Sequence, residues 1–490
     1  MEDLLEFIID LKNKGVFIQE QNAQLRVTGN ISLLAEDDKQ RIKNHKAALL
    51  DFLKSNSNDN KSSSKIPPAG RKAHYLLSSS QKRMWVLSQF KDGNIAHNIP
   101  GIYVFEGNLQ VGALEYAFKA LIERHEILRT VFKEDEQGEI RQFILSPEET
   151  GFNMPRKDFR TGEGAGADWN LVVQEEFARA FDLAKGPLLR VGLYQVKDAK
   201  WIFIYVMHHI ISDEWSMGVL IRELLQLYNA RTNGVFHSLP PLSIQYKDYA
   251  TWQQDQLKED SFKQHRSYWL ERFEGELPVL DFQGDKARPA VKTYNGGSLE
   301  KTLNPVVSDG VRAVCKTQGS TLFMGLLTAV GALLSRYSGQ DDIIIGSSIA
   351  GRGRADLEGQ IGFYLNMLAL RISVQKDDSF RKLLGHVREV TVGAYEHQEF
   401  PFDELIDELH LQRDTSRSAL FDVIVGLQNQ TDVGAFEQSL GDVKVSGYEG
   451  VEERFNKFDL TFIFTDAGDE IRIGIGYNSD IFDRSTIERL

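Results

Sequence analysis

The sequence has one cysteine among its 490 residues, Cys315. A lone cysteine has no partner for an intramolecular disulfide, so a disulfide-stabilised secreted fold is excluded and a reducing, cytoplasmic location is expected. Positive charge is also scarce, because 57 Lys and Arg residues stand against 70 Asp and Glu, a net charge of −13. No run rich in Lys and Arg offsets this balance, which argues against nucleic acid as the main partner.

Long apolar runs are absent as well. No stretch approaches the roughly 20 apolar residues that a membrane helix requires. The first residues, MEDLLEFIIDLKNKG, are acidic and amphipathic, which is not the pattern of a signal peptide. The remaining composition, 42% hydrophobic and 26% charged, is typical of a globular protein, and the length favours two or three domains.

One segment separates a small N-terminal unit from a large remainder. Residues 56–72 are rich in Ser, Asn and Lys and contain two prolines, so they are predicted to form a flexible linker. In the small unit, residues 1–55, helices are predicted at Leu4–Leu11 and Ala35–Leu53. Between them, residues 16–28 read as a two-strand hairpin, whose exposed edge invites a strand from a twin copy or a partner peptide.

The larger remainder alternates predicted strands and helices. LLRVGLYQV, WIFIYVMHH and DDIIIGSSIAGR are typical of strands, and VGALEYAFKALIERHEIL and FMGLLTAVGALLSRYSG of helices. This alternation predicts an α/β architecture with mixed sheets. At over 400 residues the unit is expected to split into two lobes, and a cleft between lobes is a common position for a functional site.

The most informative stretch, YVMHHIISDEWS at Tyr205–Ser216, follows a buried strand and opens a helix. An imidazole at that junction titrates near neutrality and can orient or deprotonate a nucleophile. The alternative is a structural pair with no catalytic role. A metal site is not predicted, because adjacent strand residues point to opposite faces and no HExxH or Cys-His cluster is present. If the pair is functional, one histidine acts in catalysis and the other faces the core.

Seven segments, in order, resemble the motifs of the condensation domains of nonribosomal peptide synthetases. They are SSSQKRMWVL, RHEILRTVF, MHHIISDEWS, YKDYATWQ, IGFYLNMLALR, HQEFPFDELIDEL and RDTSRSALFDVIVGLQN. The resemblance covers about residues 74–490. Residues 1–56 resemble the small docking domains of modular synthetase subunits, which capture the C-terminal tail of the upstream subunit with a β-hairpin and often dimerise.

The resemblance implies two lobes like chloramphenicol acetyltransferase in a V-shaped pseudo-dimer, at residues 73–245 and 246–490, behind a small α+β docking domain. It implies amide bond formation between a donor acyl or peptidyl thioester and an acceptor aminoacyl thioester. Donor and acceptor carrier proteins would bring both substrates on phosphopantetheine arms to a tunnel between the lobes, so this chain itself is expected to bind no cofactor. No adenylation motif follows the last helix, so the downstream adenylation domain is expected to be absent from this sequence.

The resemblance also assigns residues. His209 matches the second histidine of the HHxxxDG motif and would accept a proton, orient the amine or stabilise the intermediate, with His208 in support. Asp213 has two interpretations. It orients His209 as in a hydrolase triad, or it forms a structural salt bridge with Arg124, the alternative that the resemblance favours.

The chain departs from the family where Glu214 replaces the usual glycine after Asp213. Glu214 lies either in the first turn of the following helix, where negative charge is favourable, or at the tunnel, where it would narrow the passage, contact an acceptor or shift the pKa of His209. Trp215 and Asn366 are further candidates for lining the tunnel, and for Asn366 a capped turn is the alternative.

The main hypothesis is an acyltransferase that joins an L-configured donor to an L-configured acceptor. The donor would come from an upstream peptide or polyketide synthase, and ester formation stays open. A second hypothesis is a non-catalytic condensation-like module that recruits other enzymes. A third is a free-standing acyltransferase acting on a soluble thioester, which the docking-like N-terminus argues against.

Overall fold

The computed structural model describes most of the chain: residues 16–21, 24–29, 36–46, 49–50, 65–90, 93–161, 168–235, 239–411, 414–429, 440–448 and 455–490. The chain divides into two compact units, residues 1–65 and residues 66–490. The helix predicted at Leu4–Leu11 and the start of the last sequence motif, Arg413, lie outside the described residues.

The described part of the small unit contains a hairpin and a helix. Strands β1 (Val16–Gln21) and β2 (Gln24–Gly29) pair antiparallel, and Gln21 faces Gln24 next to the turn. Helix α1 (Glu36–Asn44) follows, with basic side chains in its last turn, where they complement the helix dipole. The predicted pair of strands is confirmed, and the described helix falls within the predicted Ala35–Leu53.

The larger unit combines strands and helices along its whole length. Its strands are β3 (Asn98–Glu106), β4 (Thr130–Glu134), β5 (Ile140–Ile144), β6 (Arg156–Asp158), β7 (Leu189–Lys197), β8 (Lys200–His208), β9 (Gly296–Leu303), β10 (Asp342–Ile349), β11 (Asn366–Ser373), β12 (Val423–Asn429), β13 (Lys444–Gly447), β14 (Leu460–Asp466) and β15 (Ile471–Asn478). Its helices are α2 (Ser79–Ser88), α3 (Gly93–Ala96), α4 (Val111–Arg124), α5 (Trp169–Phe177), α6 (Glu214–Thr232), α7 (Tyr246–Gln256), α8 (Asp260–Arg272), α9 (Pro305–Thr317), α10 (Leu322–Ser338), α11 (Ala355–Glu358), α12 (Phe380–Glu396), α13 (Phe402–Glu408) and α14 (Arg484–Arg489).

A five-stranded sheet with the order β13-β3-β8-β7-β6 organises the first hydrophobic core. Strand β8 pairs antiparallel with both β3 and β7. Residues Trp201–His208 are all buried, as expected for an apolar run inside a sheet covered on both faces. Helices α4 and α6 pack together and bury apolar residues spaced by helical turns in this core.

A six-stranded sheet with the order β11-β10-β12-β14-β15-β9 organises the second hydrophobic core. The pairs β10–β12 and β12–β14 are parallel, and the other neighbours are antiparallel. Helices α10 and α12 pack together, and their buried faces contribute to the second core. The predicted α/β architecture with mixed sheets is therefore confirmed.

The core boundaries differ from the sequence prediction in two places. The predicted linker is too long, because Ile66 is buried in the first core and the Ala69 N–H donates to Asp248 Oδ1 at 2.8 Å. A lobe boundary at residue 246 does not separate the cores either. Tyr246, residues 357–364 and residues 440–445 contribute buried side chains to the first core, and β13 pairs with β3.

In the described part of the chain, no single helix is long and apolar enough to cross a membrane. Among the same described residues, one pair of helices, α9 and α10, reaches the length and composition of a span when taken together, and the break between them bends the pair by 109°.

Candidate active site

The candidate site begins where β8 ends at His208. A single 3₁₀ turn, His209–Ile211, takes the chain out of the sheet, and α6 begins at Glu214. The backbone N–H groups of both histidines are hydrogen-bonded: His208 N–H donates to Leu188 O at 3.0 Å, and His209 N–H donates to His97 O at 2.8 Å. The predicted strand-to-helix junction is confirmed, and its backbone is held by hydrogen bonds to neighbouring segments.

The two histidines have different environments. His208 is fully buried, and its Nδ1 accepts a hydrogen bond from Ile210 N–H at 3.2 Å, which fixes the turn. His209 is only half-buried, and its ring packs edge-on against Phe363 with 4.8 Å between centroids. Among the described residues, His209 Nδ1 has no hydrogen-bond partner. His208 Nε2 likewise has no partner among the described residues, so the two rings differ in exposure: His208 is buried and supports the turn, whereas the ring of His209 is only half-buried.

Three imidazoles lie close together here, and all are neutral near pH 7. Burial and the ammonium of Lys457 lower the pKa of His97 to about 3, and burial with His97 nearby lowers the pKa of His208 to about 3. Burial, followed by Lys457, holds the pKa of His209 well below its usual range. Burial also lowers the pKa of Lys457 itself to about 8. A neutral imidazole carries a lone pair and can accept a proton.

Asp213 forms the N-cap of α6 and is 2% exposed. Its Oδ1 accepts hydrogen bonds from Ser216 N–H at 2.8 Å and Ser216 O–H at 2.6 Å. Its Oδ2 accepts from Tyr364 N–H at 2.9 Å. The carboxylate thus joins the start of α6 to the segment that carries Phe363.

The cation that compensates Asp213 is Arg352. Its Nη2 donates to Asp213 Oδ1 at 3.0 Å and to Ser216 Oγ at 2.7 Å, and both charged side chains are 2% exposed. Its Nη1 donates to the carbonyls of Leu357 and Gln360 at 2.5 and 2.8 Å. The guanidinium also lies over the Tyr364 ring, 4.2 Å from the centroid. Arg352 therefore neutralises the buried carboxylate and orders the loop after β10.

The predicted salt bridge between Asp213 and Arg124 is wrong. Arg124 Nε instead donates to both carboxylate oxygens of Glu223 at 3.1–3.2 Å, and His125 Nε2 lies 2.7 Å from the same carboxylate. Glu223 is ten residues along α6 from Asp213, a rise of about 15 Å. Arg124 therefore pairs with the middle of α6, far from its N-terminus. Among the described contacts, Asp213 forms no hydrogen bond with His209, so the alternative of a hydrolase-like triad has no support either.

Comparison with known proteins decides the family. A family model described as "Condensation domain" matches residues 71–490. The chain belongs to the condensation-domain family. The motifs identified in the sequence thus lie within one matched region that includes both cores of this condensation domain.

Curated relatives are similar over nearly the same region. The chain is 38% identical over 425 residues to Surfactin synthase subunit 1 from Bacillus subtilis (strain 168). It is also 38% identical over 426 residues to Gramicidin S synthase 2 from Brevibacillus brevis. Each alignment covers 87% of this chain, but only 11% of the first relative and 9% of the second. The condensation domain thus spans a small fraction of the curated relatives it matches.

Solved structures share the fold. The crystal structure of the X-domain from teicoplanin biosynthesis matches with a TM-score of 0.77 and 25% identity, over 86% of this chain and 94% of that one. The condensation domain from Monacolin K polyketide synthase MokA matches with a TM-score of 0.71 and 21% identity, over 85% and 96%.

The remaining predicted residues of the condensation domain lie at its surface or in packing contacts. Glu214 is the first residue of α6, as one interpretation predicted, and is exposed. Trp215 is 46% exposed, and its indole N–H donates to Glu358 O at 3.0 Å. The Asn366 amide donates to the carbonyls of residues 398 and 400 and accepts from the amide of residue 402. This side chain holds the loop before α13, in line with the capped-turn alternative.

Four further residues of the site were missed by sequence reasoning: His97, Arg352, Phe363 and Lys457. Only Arg352 had a local signal, the Gly/Arg turn after β10, and that turn does not name its partner. In the part of the chain that the structure describes, no group of three or more His, Cys, Asp or Glu side chains is arranged to hold a metal ion.

Proposed function

We propose that this condensation domain forms an amide bond between a donor acyl or peptidyl thioester and an acceptor aminoacyl thioester, both attached to carrier proteins. The observation that supports it most is the half-buried, neutral His209 at the end of β8, within a chain of this family. Phosphopantetheine arms on the carriers would deliver both substrates. The chain itself would supply side chains and no cofactor.

The chemistry needs positioning more than strong base. A free α-amine has a pKa of about 7.7–8.0, so a fair fraction is already neutral near pH 7. A neutral His209 can accept a hydrogen bond from that amine, hold it against the thioester carbonyl and take its proton as the C–N bond forms. The thioester C–S bond then breaks, and the leaving pantetheine thiolate receives the proton. Positioning alone contributes several kcal/mol by replacing a bimolecular encounter. His208 and Asp213 would keep the His209 turn rigid.

The direct test loads donor and acceptor carriers with candidate groups and measures the product by mass spectrometry. His209→Ala should abolish most product, whereas His386→Ala, on α12 of the second core, should not. Near-ultraviolet circular dichroism of both variants checks that folding is retained. Equal product from wild type and His209→Ala would reject the assigned role and favour the alternative, a non-catalytic recruitment module.

We also propose that residues 1–55 dock the C-terminal tail of an upstream synthetase subunit on the 16–28 hairpin. The support is that β1 and β2 pair with each other as a two-stranded sheet, and no other described strand pairs with their outer edges, where a strand could be added. Deleting residues 1–65 should remove the dependence on the upstream tail but keep condensation of soluble pantetheine thioesters. The same deletion, examined by light scattering, tests whether this unit dimerises.

Finer points of the resemblance stay proposals. They are the two lobes of chloramphenicol acetyltransferase type in a V-shaped pseudo-dimer, the preference for an L-donor and an L-acceptor, and a peptide or polyketide synthase as the upstream partner. A cytoplasmic location likewise stays a prediction from the single cysteine.

A further inference from the structure

Glu214 and Gln428 form a hydrogen bond that links the two cores. Gln428 Nε2 donates to Glu214 Oε1 at 2.9 Å across 214 residues of sequence. Glu214 opens α6, which packs in the first core. Gln428 lies on β12, in the interior of the six-stranded sheet of the second core. The contact therefore joins a helix of the first core to a strand of the second core.

Both ends of this bridge are firmly anchored. Glu214 directly follows Asp213, whose carboxylate is held by Ser216, Arg352 and Tyr364. Gln428 lies in a continuous parallel pairing between β12 and β14. Since neither backbone is on a free loop, the side-chain contact constrains the separation of the two cores at this point.

The bridge lies beside the histidine turn. Glu214 is five positions after His209, so their Cα atoms are at most about 18 Å apart. Residues 210–213 between them are buried, whereas Glu214 is exposed. Glu214 is thus the first exposed side chain after His209 in the chain, and it contacts Gln428 of the second core. A glycine, which the family motif usually has here, possesses no side chain to make this contact.

We propose that the Glu214–Gln428 bridge fixes the separation of the two cores beside His209 and thereby limits the size of the acceptor side chain that is accepted. This inference rests on the proposed condensation function. A second set of links, Ser79 O–H to Glu404 Oε1 at 2.6 Å and Arg83 Nε to Asp403 Oδ1 at 3.3 Å, joins α2 to α13. These links keep the cores attached when the bridge is broken, so its loss changes spacing without separating the cores.

A distance measurement tests the bridge without relying on activity. Spin labels on Leu171→Cys and Val306→Cys, which are 60% and 82% exposed on α5 and α9, report the separation of the cores by pulsed electron resonance. The native thiol, Cys315, is buried and is replaced by serine. Glu214→Gly and Gln428→Ala should each shift or broaden the distance distribution.

Matched variants show whether the hydrogen bond itself is responsible. Glu214→Gln keeps an acceptor oxygen and should retain the wild-type distribution. Gln428→Glu places two carboxylates together and should broaden it most. The exchange of both residues, Glu214→Gln with Gln428→Glu, restores a donor opposite an acceptor and should return the narrow distribution. An unchanged distribution in all variants would overturn the proposal.

Activity then tests the effect on size selection. With an N-acetyl-leucyl pantetheine thioester as donor, the ratio of tryptophan to glycine pantetheine thioester used as acceptor should rise about two- to tenfold in Glu214→Gly and Gln428→Ala, the range expected from one hydrogen bond. The double variant should add nothing to either single one. Lys382→Ala, which breaks an exposed ion pair with Asp378 within the second core, serves as control.

Additive effects of the two substitutions, or an unchanged ratio, would contradict the proposed size selection. If the wild type forms no product from any acceptor, the proposed condensation function fails, whereas the label distances still judge the bridge itself.

Discussion

Replacing Arg352 with methionine removes the only basic side chain that contacts the Asp213 carboxylate in the described structure. Methionine keeps an unbranched side chain of comparable length, so the main change is the loss of charge and donors. Asp213 would keep its hydrogen bonds from Ser216 and Tyr364. It would nevertheless remain a 2%-exposed carboxylate with no compensating cation.

The expected loss follows from that burial. Breaking a buried ion pair by removing one partner costs about 3–5 kcal/mol, because the remaining charge cannot recover its hydration. Arg352→Met also leaves the carbonyls of Leu357 and Gln360 without their guanidinium donor. We therefore expect the free energy of unfolding to fall by about 3–5 kcal/mol, towards the upper end of this range.

Urea denaturation followed by near-ultraviolet circular dichroism measures this change, and a double-mutant cycle assigns it. Asp213→Asn and Arg352→Met should be strongly coupled. Asp213→Asn and Arg124→Met should be additive, because Arg124 pairs with Glu223 about 15 Å away along α6. Coupling of Asp213 to Arg124, or none to Arg352, would refute the reasoning.

Three further predictions concern charge and packing. Lys457→Met removes a cation that lowers the pKa of His209, so that pKa should rise and the acidic limb of the pH–rate profile should move to higher pH. Burial raises the pKa of Asp403 to about 6, so the folded protein holds this proton more tightly than the unfolded chain. The free energy of unfolding should therefore fall by up to about 3 kcal/mol as pH rises from about 4 to about 7. Denaturation curves recorded at each pH measure this fall, and it should be missing in the control variant Asp403→Asn. A Cβ at Gly362 would lie 2.0 Å from the ring of Tyr246, so Gly362→Ala should lower the free energy of unfolding, measured by thermal denaturation, by about 1–3 kcal/mol. Gly385 lies inside α12 with open space around it, so Gly385→Ala should raise the free energy of unfolding by up to about 1 kcal/mol.

Local pattern was sufficient for the elements around the site. The run WIFIYVM became the buried strand β8, and the amphipathic segment after it became α6, with Asp213 as N-cap. The hairpin of the small unit also follows from its two short β-type runs and the turn residues between them. These features depend on side chains within a few residues of each other, so the sequence displays them directly.

The extents of the two cores were less predictable. A composition poor in apolar residues indicated a linker through residue 72, yet the buried Ile66 and the hydrogen bond from Ala69 N–H to Asp248 attach the end of that segment to the first core. Likewise β13, late in the chain, completes the sheet that begins at β3. The alternation of apolar and polar residues within a strand does not indicate which distant strand it pairs with, so this pairing could not be predicted from the sequence.

The amino-acid order alone established the family motifs, the strand-to-helix junction and the two histidines, because each is encoded in contiguous residues. Folding decided which arginine meets Asp213, which lysine lowers the histidine pKa values, and that Glu214 contacts Gln428. Arg352 lies 139 residues from Asp213 in sequence. Electrostatic and hydrogen-bond partners are set by distance in space, and the packing of the two cores determines those distances.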